Sequence, residues 1–140
     1  MQYLEKVTGQ KAEDERHLRL EHDFRAGPNR YDLKADTLMQ GTGNFFIETE
    51  SVIKKGWLYN QNVDFILYLN TQTMCLYTIP IRALQEHEAE IKQWPYRKIS
   101  QENAGYWTGG YKVPIQTLSR WLNLKRTNLR LEGKMELFME

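Results

Sequence analysis

A single cysteine, Cys75, stands among the 140 residues, so no disulfide can form within the chain and the composition suits a reducing cytoplasm. Its neighbours Met74 and Leu76 make it a core position rather than a reactive thiol. No apolar run approaches the roughly 20 residues of a membrane-spanning helix, and Met1-Gln2-Tyr3-Leu4-Glu5-Lys6 carries no signal-peptide pattern. The expectation is an intracellular, cytoplasmic protein with no membrane partner. The histidines His17, His22 and His87 form no His-x₃-His pair, and Glu21-His22-Asp23 reads as surface, because a triad is made by adjacency in space and not in sequence. Gly41-x-Gly43 lacks the third glycine and the strand-to-helix setting of a dinucleotide fingerprint and reads as a hairpin turn. Charge of one sign is also missing. The net charge of +1 gives no global pull toward nucleic acid, and no low-complexity linker marks off a second domain.

What is present is enough apolar material, 41%, for one globular domain over residues 1–140 that buries about two-thirds of its unfolded surface. Periodicity predicts a mixed α/β order. A helix over 11–25, with Leu18, Leu20 and Phe24 among many charges, stops at Gly27-Pro28. A hairpin of strands 31–38 and 44–50 follows, then a loop around Lys54-Lys55-Gly56, then a strand pair 64–69 and 73–80 joined by Asn70-Thr71-Gln72. Pro80 opens a helix over 82–93 that breaks at Trp94-Pro95, and Val113-Pro114-Ile115 repeats the same device of strand end, proline and helix start. Residues 128–138 read as a terminal hairpin or an irregular tail. The expected fold is a central mixed sheet flanked by helices, with the first hairpin at its heart.

That hairpin is where acids enter a strand-like apolar run. In Asn44-Phe45-Phe46-Ile47-Glu48-Thr49-Glu50-Ser51 the aromatic and β-branched residues belong to a strand at least partly in the core, where a carboxylate is desolvated at a cost that a cation or hydrogen bonds must offset. A symmetric register sets Asp36 opposite Glu48. Alternation puts Asp32, Lys34 and Asp36 on one face of the first strand, and Phe46, Glu48 and Glu50 on one face of the second. Carboxylates converging beside a lysine suit Mg²⁺ or Mn²⁺, which take oxygen ligands, rather than zinc. The alternative is that Asp36 and Glu48 are structural carboxylates satisfied by Lys34 or Arg30.

The order of a helix, a strand carrying Asp, a turn and a strand carrying Glu-x-(Lys or Glu) resembles the PD-(D/E)xK nucleases, the superfamily of many restriction enzymes and Holliday-junction resolvases. More narrowly, Lys34-Ala35-Asp36 followed by Gly43-Asn44-Phe45-Phe46-Ile47-Glu48-Thr49-Glu50-Ser51 is similar to small phage-type nuclease-like proteins, and Gly56-Trp57 and Asn62-Val63-Asp64-Phe65 share that likeness over roughly residues 10–84. The resemblance implies a restriction-endonuclease-like αβββαβ core and metal-dependent hydrolysis of phosphodiester bonds, first of all in DNA. It implies Mg²⁺ or Mn²⁺ on Asp36, Glu48 and the Thr49 carbonyl, with Glu50 or a lysine orienting the attacking water. The chain departs from the family where most members carry Lys and it carries Glu50. Glu50 itself, Lys34, Lys54 or Lys55 then takes that part, or catalysis has been lost.

Lys54, Lys55, Lys112, Arg120, Lys125 and Arg126 are the candidate phosphate contacts, and those after Asn103 are interleaved with Tyr106, Trp107, Tyr111 and Trp121, which could stack exposed bases. Core aromatics and a solvated charged surface are the plainer account of the same residues. Glu13 and Glu15 lie where some such nucleases place an extra acid, although charged residues of a helix usually face water. Two other classes stay open: an inactive nuclease-fold binding module, and a phage or mobile-element accessory protein acting through the Tyr106–Tyr111 segment. A homodimer is left open as an assembly.

Overall fold

The structure, a computed structural model, describes residues 10–16, 23–36, 43–100 and 105–129, with Ala35 and Asp36 described through their backbone alone. The architecture is mixed α/β, with a mixed multi-stranded sheet and few helices. The strands are β1 (Ala12–Asp14), β2 (Phe24–Ala26), β3 (Asn29–Asp36), β4 (Asn44–Ser51), β5 (Phe65–Asn70), β6 (Cys75–Pro80), β7 (Tyr96–Ser100), β8 (Trp107–Pro114) and β9 (Lys125–Asn128). The helices are α1 (Ile81–Gln85), α2 (Glu88–Ile91) and α3 (Ile115–Leu122). One sheet runs β1-β2-β3-β5-β6-β9 and the other β4-β8-β7. All pairs are antiparallel except β3 with β5, which are parallel from Tyr31↔Phe65 to Asp36↔Asn70.

Strand β5 is the central strand of the larger sheet, and its unbroken Phe65-Ile66-Leu67-Tyr68-Leu69 run is what a strand covered on both faces requires. Ile66 and Tyr68 face the smaller sheet. There they meet Phe45 and Ile47 of β4, Val113 of β8, and Ile81, Leu84, Ile91 and Leu118 of the helices. The Phe45 ring stands edge-on to Tyr68 and Tyr77, with centroids 4.9 and 5.1 Å apart. On the other face Leu67 and Leu69 pack with Tyr31, Ala26, Leu76 and Leu129.

Two expectations are corrected. Residues 11–25 are not one helix: at the described ends of that stretch the chain forms β1 and β2, while residues 17–22 lie outside the described residues. Gly27-Pro28 is a hairpin turn between β2 and β3, with Gly27 at φ +58. The charges that suggested a helix surface pair across strands, with Arg25 at 3.2 Å from Glu13 and 3.4 Å from Glu15. Nor do β3 and β4 form a hairpin. One edge of β3 is taken by β5 from Tyr31 to Asp36 and the other by β2 from Asn29 to Tyr31, while β4 pairs with β8, and Asp36 faces Asn70 in register rather than Glu48.

Where the signal is local, expectation and structure agree. Strands β5 and β6 form the second pair, α1 starts directly after Pro80 and α3 directly after Pro114. The helix expected over 82–93 appears as α1 and α2, separated at Glu86-His87. Asn128 ends β9, and the residues beyond Leu129 lie outside the described residues.

The Tyr68 side chain bridges the two sheets beside the acids of β4. The Phe46 N–H donates to the Tyr68 hydroxyl at 3.1 Å, where an edge strand would otherwise leave that amide to solvent. Tyr68→Phe should therefore cost about 1–3 kcal/mol, the range for stranding a part-buried donor, and loosen β4. Urea unfolding with amide exchange at Phe46 checks this, and an unchanged exchange rate would assign the amide another acceptor.

Candidate active-site cleft

Between β3, β4 and the loop after β4 lies a cleft of about 430 Å³. Strand β3 contributes Asp32 and Lys34, which alternate with Tyr31 and Leu33 and so point toward the smaller sheet. Strand β4 contributes Glu48, and the loop contributes Lys54, Lys55, Gly56, Trp57 and the stretch from Tyr59 to Asn62. The loop is held by local bonds. The Ser51 hydroxyl bonds the Lys54 carbonyl at 2.8 Å, and the Ser51 N–H donates to the same carbonyl at 2.9 Å. A short 3₁₀ turn, Trp57–Tyr59, then tucks Trp57 and Leu58 into the core.

Gly56 sets how closely this loop lies on β4. A Cβ there would collide with the Glu48 carbonyl and the Thr49 nitrogen. The requirement is for close approach, since its φ of −69 is open to any residue. Gly56→Ala must lift the loop from Glu48, because backbone cannot yield as a flexible side chain would. The expected cost is about 1–3 kcal/mol of strain, read as a lowered urea midpoint together with shifted resonances of Lys54 and Lys55. A variant as stable as wild type, with those resonances in place, would contradict the close packing.

Two carboxylates in the cleft have disturbed titrations. Burial pushes Glu48 above the ordinary carboxylate range, opposed in turn by Lys34, Lys54 and the Trp57 backbone N–H. Asp32 is buried, 7% exposed, and lies 3.0 Å from the Lys34 ammonium. Burial, and next a hydrogen bond with the Asp23 carboxyl, push it up to about 7, with Lys34 opposing. Asp23 is itself fixed by accepting the Leu33 N–H at 3.1 Å. Lys34 thus acts on both acids.

The sign of the pH dependence follows. An unfolded Asp titrates at about 3.9, so between that value and about 7 the folded chain holds the additional proton, and this contribution to stability fades as pH rises through the window. Asp32→Asn should make the decline in stability from pH 5 to pH 8 shallower than in wild type. Parallel urea titrations at the two pH values test this, and equal slopes would place the dependence elsewhere.

Of the residues expected at the site, Lys34, Glu48, Lys54 and Lys55 line this one cleft. Asp36 is at the end of β3, and its side chain lies outside the described residues. Thr49 sits at an irregularity of β4, where the register shifts between Glu48 and Glu50; its hydroxyl reaches the Gly109 carbonyl at 3.4 Å. That bulge breaks the alternation expected to keep Glu48 and Glu50 together. The Glu50 carboxylate instead accepts the Tyr96 hydroxyl, over the bare backbone of Gly109, and does not line the cleft.

Lys112 lies opposite Phe46 on β8 and Arg120 lies on α3. Lys125 and Arg126 lie on β9, at the sheet edge beyond β5 and β6, where Arg126 donates to the Cys75 sulfur at 3.2 Å. None of these four lines the cleft. Tyr59, Asn60 and Gln61 are lining residues that the sequence reading did not name, and Asp32, which alternation put on one face with Lys34, lines the cleft without having been assigned a site role. For Asp32 the signal was present, in its two-residue spacing from Lys34.

Among the described residues no three His, Cys, Asp or Glu side chains gather as a metal cage, and no helix is long and apolar enough to cross a membrane. No protein-family model, curated protein or solved structure matches the chain.

Proposed function

We propose that the chain is a divalent-metal-dependent nuclease of the PD-(D/E)xK type, acting first of all on DNA, with its chemistry in the cleft between β3 and β4. The observation that carries this reading is the meeting of Lys34, Glu48, Lys54 and Lys55 in that one cleft, although they come from different sheets and a separate loop. Glu48 suits a hard cation: it is an oxygen ligand whose charged form burial disfavours. Mg²⁺ needs only one or two protein carboxylates where phosphate and water supply the remaining oxygens. Glu48 would hold the ion, with Asp36 and the Thr49 carbonyl as the further ligands that the sequence pattern assigns. A cation bound there lowers the pKa of water and neutralises a phosphate oxygen.

The chain's own residues account for the rest. Lys34 and Lys54 are the two cations that Glu48 feels most, and with Lys55 they offer ammonium groups to phosphates on either side of the bond to be cut. Lys34 takes the part of the motif lysine, since Glu50 is engaged by Tyr96. The restriction-endonuclease-like core belongs to this proposal, with β3 and β4 as the acid-bearing strands and the parallel β3/β5 pair beside them. The engagement of Glu50 also favours a second reading, a binding module of the same fold that no longer cuts.

Plasmid and linear duplex cleavage with Mg²⁺ or Mn²⁺, beside calorimetric Mn²⁺ titration, separates the two. Cleavage should require the metal and fall by roughly 100-fold or more in Glu48→Gln and in Lys34→Ala, with Mn²⁺ binding weakened in the first only. DNA binding without cleavage under either metal would select the binding module. Mn²⁺ affinity unchanged in Glu48→Gln would reject the metal site.

A further inference from the structure

A second cavity, of about 490 Å³, is lined by Glu90, Gln93, Trp94, Thr117 and Trp121, where the chain leaving α2 meets α3. It shares no lining residue with the cleft. Its walls are held in place. The His87 imidazole stacks on the Trp121 indole, with centroids 5.1 Å apart and planes 5° from parallel, and His87 Nδ1 lies 2.9 Å from Glu90 Oε2. One histidine therefore fixes the orientation of both an indole and the carboxylate. The Trp94 N–H is bound to the Ile91 carbonyl at 3.0 Å, which fixes where the second indole starts.

Charge decides what such a cavity accepts. Glu90 is the one ionisable side chain among its described lining residues, and the lysine on the same turn of chain, Lys92, is bound to Glu88 at 2.8 Å. Indole faces carry the negative side of the ring quadrupole. A carboxylate sharing the lining with two of them makes a cavity that repels anions. A hard metal ion finds a single carboxylate here, and a primary ammonium is a compact, strongly hydrated charge that gains little from indole faces. A methylated ammonium gains more: it is weakly hydrated, offers methyl groups to the rings and keeps its charge for the carboxylate. We propose that this cavity binds an organic cation carrying a quaternary ammonium group, with Trp94 and Trp121 as its walls and Glu90 as its counter-ion.

The test uses the full chain labelled with ¹⁵N and titrated with tetramethylammonium chloride, against sodium chloride at equal ionic strength. The four tryptophans give separate indole N–H signals as reporters. The expected result is saturable shifts at Trp94 and Trp121, with Trp57 and Trp107 unmoved and no saturation in sodium chloride. Binding should be about fivefold weaker in Glu90→Gln, in keeping with one exposed ion pair, and lost in Trp94→Leu. Glu90 is exposed on the surface, so its variant keeps the fold and the comparison stands even if Trp94→Leu does not fold. Identical responses to the two salts, or an unchanged constant in Glu90→Gln, would overturn the proposal.

Discussion

Strand β3 gives one edge to the parallel β5 from Tyr31 to Asp36, and most of the arrangement follows from that. With β5 along that edge and β2 at the start of the other, the next strand in the chain lies outside the larger sheet. It crosses above that sheet and pairs with β8, so that the connection from β3 to β5 carries a whole strand of a second layer. The cleft is the gap this crossing leaves. Its floor is the polar side of β3, one wall is the acidic end of β4, and the other is the loop that must return the chain to β5. Had β3 and β4 formed a simple hairpin, Lys34 and Glu48 would be neighbours on one sheet rather than opposite sides of a hollow.

The electrostatics of the hollow depend on the same crossing. Asp32 and Glu48 come from different layers, and each would be costly to keep charged while partly removed from water. Lys34 offsets both, directly for Asp32 at 3.0 Å and at longer range for Glu48, while Lys54 is brought to Glu48 by the approach of Gly56. The cleft thus combines acids whose charge is held uneasily with lysines on flexible stems. Such a balance answers readily to any added charge, whether proton, cation or phosphate.

How far the chain could be read in advance tracks how local each signal is. The β5/β6 pair and the two proline-started helices are written within a few residues and were legible as such. Pairing partners are not written locally. The alternation of Phe45 and Ile47 shows that β4 buries one face, but it is equally satisfied by β3 or β8, and the choice of β8 rests on contacts distant in sequence. Residues 11–25 misled for a related reason: Glu13 and Arg25 suit a helix surface by composition, whereas their true relation is across β1 and β2. At the site, the lysines and Glu48 were legible as chemistry. The bulge that turns Glu50 toward Tyr96 was not, because it depends on Gly109 of a strand distant in sequence.

The crossing also bears on how the chain reaches its fold. During synthesis β3 emerges well before β5, and β4 long before β8, so each spends time with an unsatisfied edge while the residues between are made. Neither of these pairs can zip from a tight turn; both must close large loops before any contact repays the lost entropy. Assembly by such distant pairings places a protein among slower folders and leaves strands with an apolar face such as Asn44–Ser51 exposed to wrong partners in the interval. The topology that opens the cleft in the finished molecule is therefore also what makes its formation the most hazardous stage in the life of the chain.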